Sequence, residues 1–243
     1  SLAYGIFYQN PENQYFGTHD LNFQKAEHYV LQVQKADEGR SFRAEAFYKN
    51  YEDLIKTKLE KYRPVAISNN GDGFAKGIEL FWRDKKSIKN IDYWVSYSFL
   101  DSKRNFQNYD QSLFPNFAAK HTLSVVAKKF VTDWKTGLNL SYNYASGRPY
   151  YNFLTDDGGN YYLNTQGKVK DYNALNFSLN YLPNLGKNDS KSFPVLVLSV
   201  NNILNQKNIY GYNFSRDGLR SQPILPSANT FIFVGAFISF GID

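Results

Sequence analysis

The sequence predicts an all-β chain, an antiparallel transmembrane β-barrel portion of about ten strands, and three observations predict it. Helix-period patterning is nearly absent, while short alternating segments rich in Tyr, Phe, Val, Ile and Leu recur along the 243 residues. The connections between these segments alternate between short and long. The last segment, Phe231 to Phe240, is apolar at every second position and ends near an aromatic.

Candidate strands fall at 2–9, 25–36, 40–55, 74–84, 89–102, 119–131, 134–146, 172–183, 193–204 and 229–241. The first is under way from Leu2, so the chain reads as processed or partial sequence. In the third, Phe42-Arg43-Ala44-Glu45-Ala46-Phe47-Tyr48-Lys49, the alternation places Arg43, Glu45 and Lys49 on one face. The fifth runs Ile91-Asp92-Tyr93-Trp94-Val95-Ser96-Tyr97-Ser98-Phe99, with Trp94 the exception to its alternation. The seventh, Leu138-Asn139-Leu140-Ser141-Tyr142-Asn143-Tyr144, is apolar at every even position, and Leu175 to Tyr181 repeats its pattern. Side chains of a strand point to opposite faces in turn, so each ribbon has one greasy flank and one wet flank. Several wet flanks are dominated by Asn and Ser, which suits a filled polar lumen. A soluble antiparallel sheet that buries its apolar face is the competing architecture.

Connections near 37–40, 85–88, 132–133 and 184–192 are short and polar. Those near 10–24, 56–73, 103–118, 147–171 and 205–228 are long. Short turns at one end and long loops at the other is the arrangement of periplasmic turns and extracellular loops. No linker or low-complexity tract interrupts it, which predicts one domain.

Composition narrows the function classes. Aromatics make up 18% of the chain, with 20 Tyr and 20 Phe, enough for two girdles at lipid–water boundaries. The absence of cysteine excludes a disulfide scaffold, a zinc–cysteine site and a thiol nucleophile. Mean hydropathy is −0.52, with no stretch long and apolar enough for a spanning helix, which excludes helical membrane proteins and leaves barrels untouched. The net charge of +6 is scattered among acids, with no basic run beyond Lys85-Lys86 and Lys128-Lys129, so no nucleic-acid partner is expected. His19, His28 and His121 lie far apart, without metal-ligand spacing. Asn70-Gly71-Asp72-Gly73 reads as a flexible loop returning into a strand, and Asp156-Asp157-Gly158-Gly159-Asn160 as a turn. No cofactor, metal site or catalytic residue is expected.

Several motifs carry a resemblance to a family. They are Phe42 to Tyr51, Asn70 to Leu80, Trp94 to Asp101, Tyr144-Ala145-Ser146-Gly147-Arg148-Pro149-Tyr150-Tyr151, and Val200-Asn201-Asn202-Ile203-Leu204-Asn205. In this order the chain resembles the C-terminal barrel part of TonB-dependent outer-membrane receptors, particularly the Bacteroidetes type. The final strand resembles the assembly signal of outer-membrane barrels, except that three residues follow Phe240. The resemblance implies a barrel of about 22 strands around a plug, of which residues 1–243 supply the last ten. It implies nutrient uptake (siderophore, vitamin, glycan or peptide) energised by the TonB–ExbB–ExbD complex through parts absent from this chain. Other implied partners are the lipid bilayer, lipopolysaccharide and a surface lipoprotein. The competing functions are a complete ten-stranded outer-membrane enzyme such as a protease, and a soluble glycan-binding β-protein.

Binding residues are expected in the long loops. Tyr109 and Phe114, with Phe106 and Phe117, fall in one loop; Arg148, Tyr150, Tyr151, Phe153, Tyr161 and Tyr162 fall in the next. Aromatics offer stacking area at low entropic cost, and Arg offers planar recognition of carboxylate or phosphate. Self-packing of the loops is the competing role. Arg43, Glu45, Glu79 and Arg83 are expected on lumen faces, joined in a salt-bridge network and available to a plug.

Overall fold

A computed structural model describes residues 1–15, 21–187 and 190–240. Fourteen strands follow in chain order, with a one-turn 3-10 helix at Asn13–Tyr15. Ten form one antiparallel meander: β1 Leu2–Gln9, β2 Gln24–Asp37, β3 Arg40–Glu60, β4 Arg63–Asp84, β5 Ile91–Asn105, β6 His121–Val131, β7 Thr136–Ala145, β10 Tyr172–Tyr181, β11 Ser192–Asn201 and β14 Phe231–Phe240. Two hairpins, β8 Pro149–Thr155 with β9 Tyr161–Lys168 and β12 Gly211–Phe214 with β13 Ser221–Ile224, stand apart as two-stranded sheets. The ten expected strands are these ten. Among the described residues β1 and β14 do not pair with each other, so the sheet is open and forms no closed ten-stranded barrel.

The register aligns the apolar flanks across neighbours. Leu138 lies opposite Leu179, Leu179 opposite Leu198, and Leu198 opposite Val234. Phe42, Trp82 and Val95 form another such row. This face is uncovered: Leu31, Ile78, Leu140 and Val234 are all exposed, Val234 by 76%. A water-soluble domain does not leave so large an apolar surface bare. On the opposite face the polar side chains bond across strands. Ser124 Oγ donates to Asn143 Oδ1 at 3.0 Å, Asn139 Nδ2 to Ser178 Oγ at 3.2 Å, and Asn176 Nδ2 to Ser141 Oγ at 3.2 Å.

Short connections close one end. Residues 38–39 make a two-residue turn in which Gly39 takes φ +90°, a conformation that glycine adopts without penalty. Asp84 organises the next turn: its carboxylate accepts from Lys86 N, Ser87 N and Ser87 Oγ, and from Arg40 Nε at 3.1 Å.

At the other end the structure corrects one expectation. Residues 56–73 are not a long loop; β3 and β4 run on as a tall hairpin closed by Lys61 and Tyr62, both at positive φ. Register shifts between Tyr51 and Thr57 blur the alternation there. The stretch Asn70-Gly71-Asp72-Gly73 belongs to β4 and is no flexible loop. Its glycines allow close approach: a Cβ on Gly71 would meet Asn105 O at 2.5 Å and Leu54 O at 2.6 Å. The stretch 156–160 is the turn between β8 and β9, with Asn160 N donating to Asp156 Oδ1 at 2.8 Å.

Candidate functional site

The long connections join into one cap above the polar face. Leu59 N at the tall hairpin donates to Gly159 O at 2.8 Å, and Leu163 N to Asp110 Oδ2 at 2.8 Å. Gln107 N donates to Ile55 O at 2.6 Å, and Asn152 Nδ2 to Gly218 O at 3.1 Å. The Arg216 guanidinium lies 4.0 Å from the Tyr62 ring centre. Below the cap, Asn202 is buried and ties β11 to β14. Its amide donates to Gln206 O and Asn229 O, both at 2.8 Å, and its carbonyl accepts from Gln206 N at 3.1 Å. Asn208 donates to Asn173 O at 2.9 Å and accepts from Asn173 N at 3.1 Å. The Asn-rich motif that carried part of the resemblance thus has a visible physical job, satisfying backbone groups where strands end.

The expected loop residues divide into groups. Tyr109 is buried at the centre of one, with ring centres of Phe106, Phe153 and Tyr151 at 5.1, 5.5 and 5.6 Å. Its hydroxyl accepts from Asn116 N at 3.1 Å, and the Tyr151 hydroxyl donates to Phe114 O at 2.9 Å. Burial, with Tyr109 alongside, pushes the Tyr151 phenol up to about 12, and burial raises Tyr109 as well. Tyr150 points elsewhere and packs on Tyr212 at 4.8 Å and Phe214 at 5.9 Å. Arg148 donates from Nη2 to Tyr210 O at 2.6 Å. Tyr161 is half-buried, and burial raises its phenol; Tyr162 is 45% exposed. Beneath the first group a cavity of about 640 Å³ is lined by Phe114, His121, Tyr151 and Lys168.

Arg43, Glu45, Glu79 and Arg83 share the polar face, but no salt bridge joins any two of them among the described residues. The register explains this: Glu45 sits directly across from Glu79, and Arg43 across from Phe81. Arg83 turns instead to Asp92, gripping it through Nε at 2.9 Å and Nη2 at 2.6 Å. His19 lies outside the described residues. His28 packs on Phe7 at 4.6 Å, and His121 Nδ1 shares a hydrogen bond with Tyr97 Oη at 2.9 Å. Among the described residues no group of three or more His, Asp or Glu is placed to hold a metal ion.

Sequence reasoning passed over a second cavity, about 520 Å³, on the polar-face side of the cap between β1–β3 and the start of the 106–120 loop. Arg104 lines it, its guanidinium 4.2 Å from the Tyr51 ring centre, 5.6 Å from Phe106 and 5.7 Å from Phe117. A single arginine gives no sequence signal. Only the strand register brings Tyr51 and Arg104 together, through Gly73, which pairs with both.

Comparison with known proteins agrees with this architecture. The ferric-catecholate import receptor Fiu from E. coli K12 superposes with a TM-score of 0.66 at 15% identity, covering 98% of this chain and 32% of its own. The ferric yersiniabactin uptake receptor FyuA from Yersinia pestis gives 0.65 at 16% identity, covering 98% and 34%. The ferripyoverdine receptor of the Pseudomonas aeruginosa outer membrane gives 0.68 at 9% identity, covering 98% and 30%. The chain therefore spans about a third of the length of these structures, and at such identity the likeness is one of fold. No curated protein matches the sequence. A family profile described as TonB dependent receptor-like, beta-barrel matches residues 2–203. With most of its length matched, the chain belongs to the TonB-dependent receptor β-barrel family of the bacterial outer membrane.

Proposed function

We propose that residues 1–243 are the C-terminal part of the barrel of a receptor that captures a scarce nutrient outside the cell and passes it through a plugged lumen. One observation carries this reading. The ten-stranded sheet presents an unbroken apolar face on one side and an Asn- and Ser-bonded face on the other, under a cap of aromatic loops. That pleat suits hydrocarbon outside and a filled polar interior. The open edges β1 and β14 suit a wall completed by further strands, about 22 in all, with the plug on the polar side.

In this reading TonB, driven through ExbB and ExbD, moves the plug, and Arg43, Glu45, Glu79 and Arg83 face it. The capture region comprises Tyr109, Phe114, Arg148, Tyr150, Tyr151, Phe153, Tyr161 and Tyr162, of which Tyr162 is the most exposed. The motifs from Tyr144 to Tyr151 and from Val200 to Asn205 support the Bacteroidetes type. Lipopolysaccharide surrounds the loop end, and a surface lipoprotein lids it.

The test uses cells making the full-length receptor. They are offered ferric siderophores, cobalamin, oligosaccharides and peptides in separate assays, with and without a collapsed proton gradient. One class should be taken up only by energised cells carrying the gene. Uptake that persists without TonB, or equal uptake without the receptor, overturns the reading. Replacing Arg148, Tyr150 and Tyr151 together by alanine should weaken capture while the barrel still assembles.

A further inference from the structure

Arg104 closes the polar row of β5, on the same face as Ser98 and Ser102. Across the sheet, Gly73 of β4 pairs with both Arg104 and Tyr51. Gly73 is small because the arginine stem crosses it: a Cβ there would meet Arg104 Cγ at 2.9 Å and Lys103 O at 2.6 Å. The stem crosses β4, and the guanidinium comes to rest beside Tyr51, Phe106 and Phe117. The three rings flank the half-buried group, Tyr51 most closely.

Among the described residues no carboxylate lies within ion-pair distance of this charge. Arg104 makes no salt bridge, and its Nε is buried with no hydrogen-bond partner among the described residues. Two other charged groups on the cavity wall have partners of their own. Lys25 is engaged by Glu27 at 2.7 Å and Glu52 at 3.1 Å, and Glu12 accepts from Gln14 Nε2 at 2.6 Å. A buried guanidinium nitrogen without an acceptor is costly unless something supplies an oxygen atom. Its fork matches two oxygens of a carboxylate or phosphate in one plane.

We propose that Arg104, held by Tyr51, Phe106 and Phe117, is an anion subsite of the capture region and selects nutrients bearing a carboxylate or phosphate group. This rests on the uptake reading, which places the cavity on the nutrient's path. The cavity, about 520 Å³, is of small-molecule size. Phe106 also packs edge-on against Tyr109 at 5.1 Å, so the subsite adjoins the aromatic loop cluster.

The experiment uses the purified full-length receptor in detergent. Inorganic phosphate is titrated in one arm and propionate in the other, read by ³¹P line broadening and by proton saturation transfer. Binding of either anion, weakened about tenfold or more in Arg104→Gln, is the expected result. Arg104→Lys should recover part of it, because the charge returns without the planar fork. Lys89→Gln, in the turn at the far end, should bind as the parent does. Heat-modifiable gel migration checks that each variant has assembled.

Equal binding by parent and Arg104→Gln overturns the proposal. So does failure of the assembled parent to bind either anion, which would mean that another part of the receptor already neutralises Arg104. The two readings fail separately. Anion binding lost in Arg104→Gln without energised uptake sinks the transport reading and leaves the subsite. Energised uptake with unchanged anion binding in Arg104→Gln does the reverse.

Discussion

Truncating Tyr109 tests whether the loop cap is a small hydrophobic core in its own right. The side chain is 4% exposed and touches three rings, with Phe106, Phe153 and Tyr151 at 5.1, 5.5 and 5.6 Å. Replacing a buried aromatic by alanine costs about 3–5 kcal/mol, through lost transfer energy and the cavity left behind. Tyr109→Phe keeps the ring and removes only the acceptor for Asn116 N, worth about 1 kcal/mol. These residues lie in connections rather than in the ten-stranded sheet, so the loss should appear as local opening. Hydrogen exchange on the full-length receptor reads it directly. Amides of 106–120 and 149–168 should lose protection by about 100-fold or more in Tyr109→Ala and by about fivefold in Tyr109→Phe. Amides of β6 and β7 should be unchanged. Equal protection in parent and Tyr109→Ala would refute the reasoning, because the cap would then be held by its backbone bonds alone.

Three further outcomes follow from other parts of the fold. Burial lifts the Tyr151 phenol from its ordinary value of 10.0 to about 12, so the folded cap holds a proton that the unfolded loop releases. Its stabilising effect is complete below pH 10.0 and is lost as pH rises towards about 12; absorbance of tyrosinate at high pH, compared with Tyr151→Phe, checks the sign. Asn202→Ala removes three hydrogen bonds and places alanine at φ 52°, and should cost about 2–4 kcal/mol in denaturant unfolding of the detergent-refolded receptor. Leu140→Arg puts a charge on the exposed apolar face of β7 and should cost about 2–4 kcal/mol in bilayers, whereas Asn143→Arg on the polar face should cost far less. Equal penalties at those two positions would remove the basis for assigning the faces.

What was legible in the sequence follows from period. Where one flank meets hydrocarbon and the other a polar interior, a two-residue alternation must persist, so Leu138 to Tyr144 and Leu175 to Tyr181 declared their strands and faces. Above the membrane that constraint lapses. The extension of β3 and β4 carries shifts in register and the turn Lys61-Tyr62, and its glycines mimic a loop although they serve close strand contact. The hairpin β8–β9 carries tyrosine on both flanks, Tyr150 and Tyr151 in one strand and Tyr161 and Tyr162 in the other, and β12 and β13 are only four residues each, which hides their pairing. The aromatic loop residues could be named but not sorted, because packing between Tyr109 and Phe153, 44 residues apart by number, leaves no local trace.

The lumen charges and Arg104 make the complementary argument. Charge alone pointed to Arg43, Glu45, Glu79 and Arg83, yet register leaves Glu45 opposite Glu79 and sends Arg83 to Asp92. Charge alone gave no reason to single out Arg104. What distinguishes it is the geometry around it: a glycine across the ladder, three rings about its plane, and a buried nitrogen without an acceptor. Arg83 and Arg104 stand at opposite ends of the polar face of β4–β5 and differ in whether the chain supplies a carboxylate. Asp92 completes the first and makes it structural. The second is built with equal care and left open, which is the arrangement a binding surface needs and a structural ion pair does not.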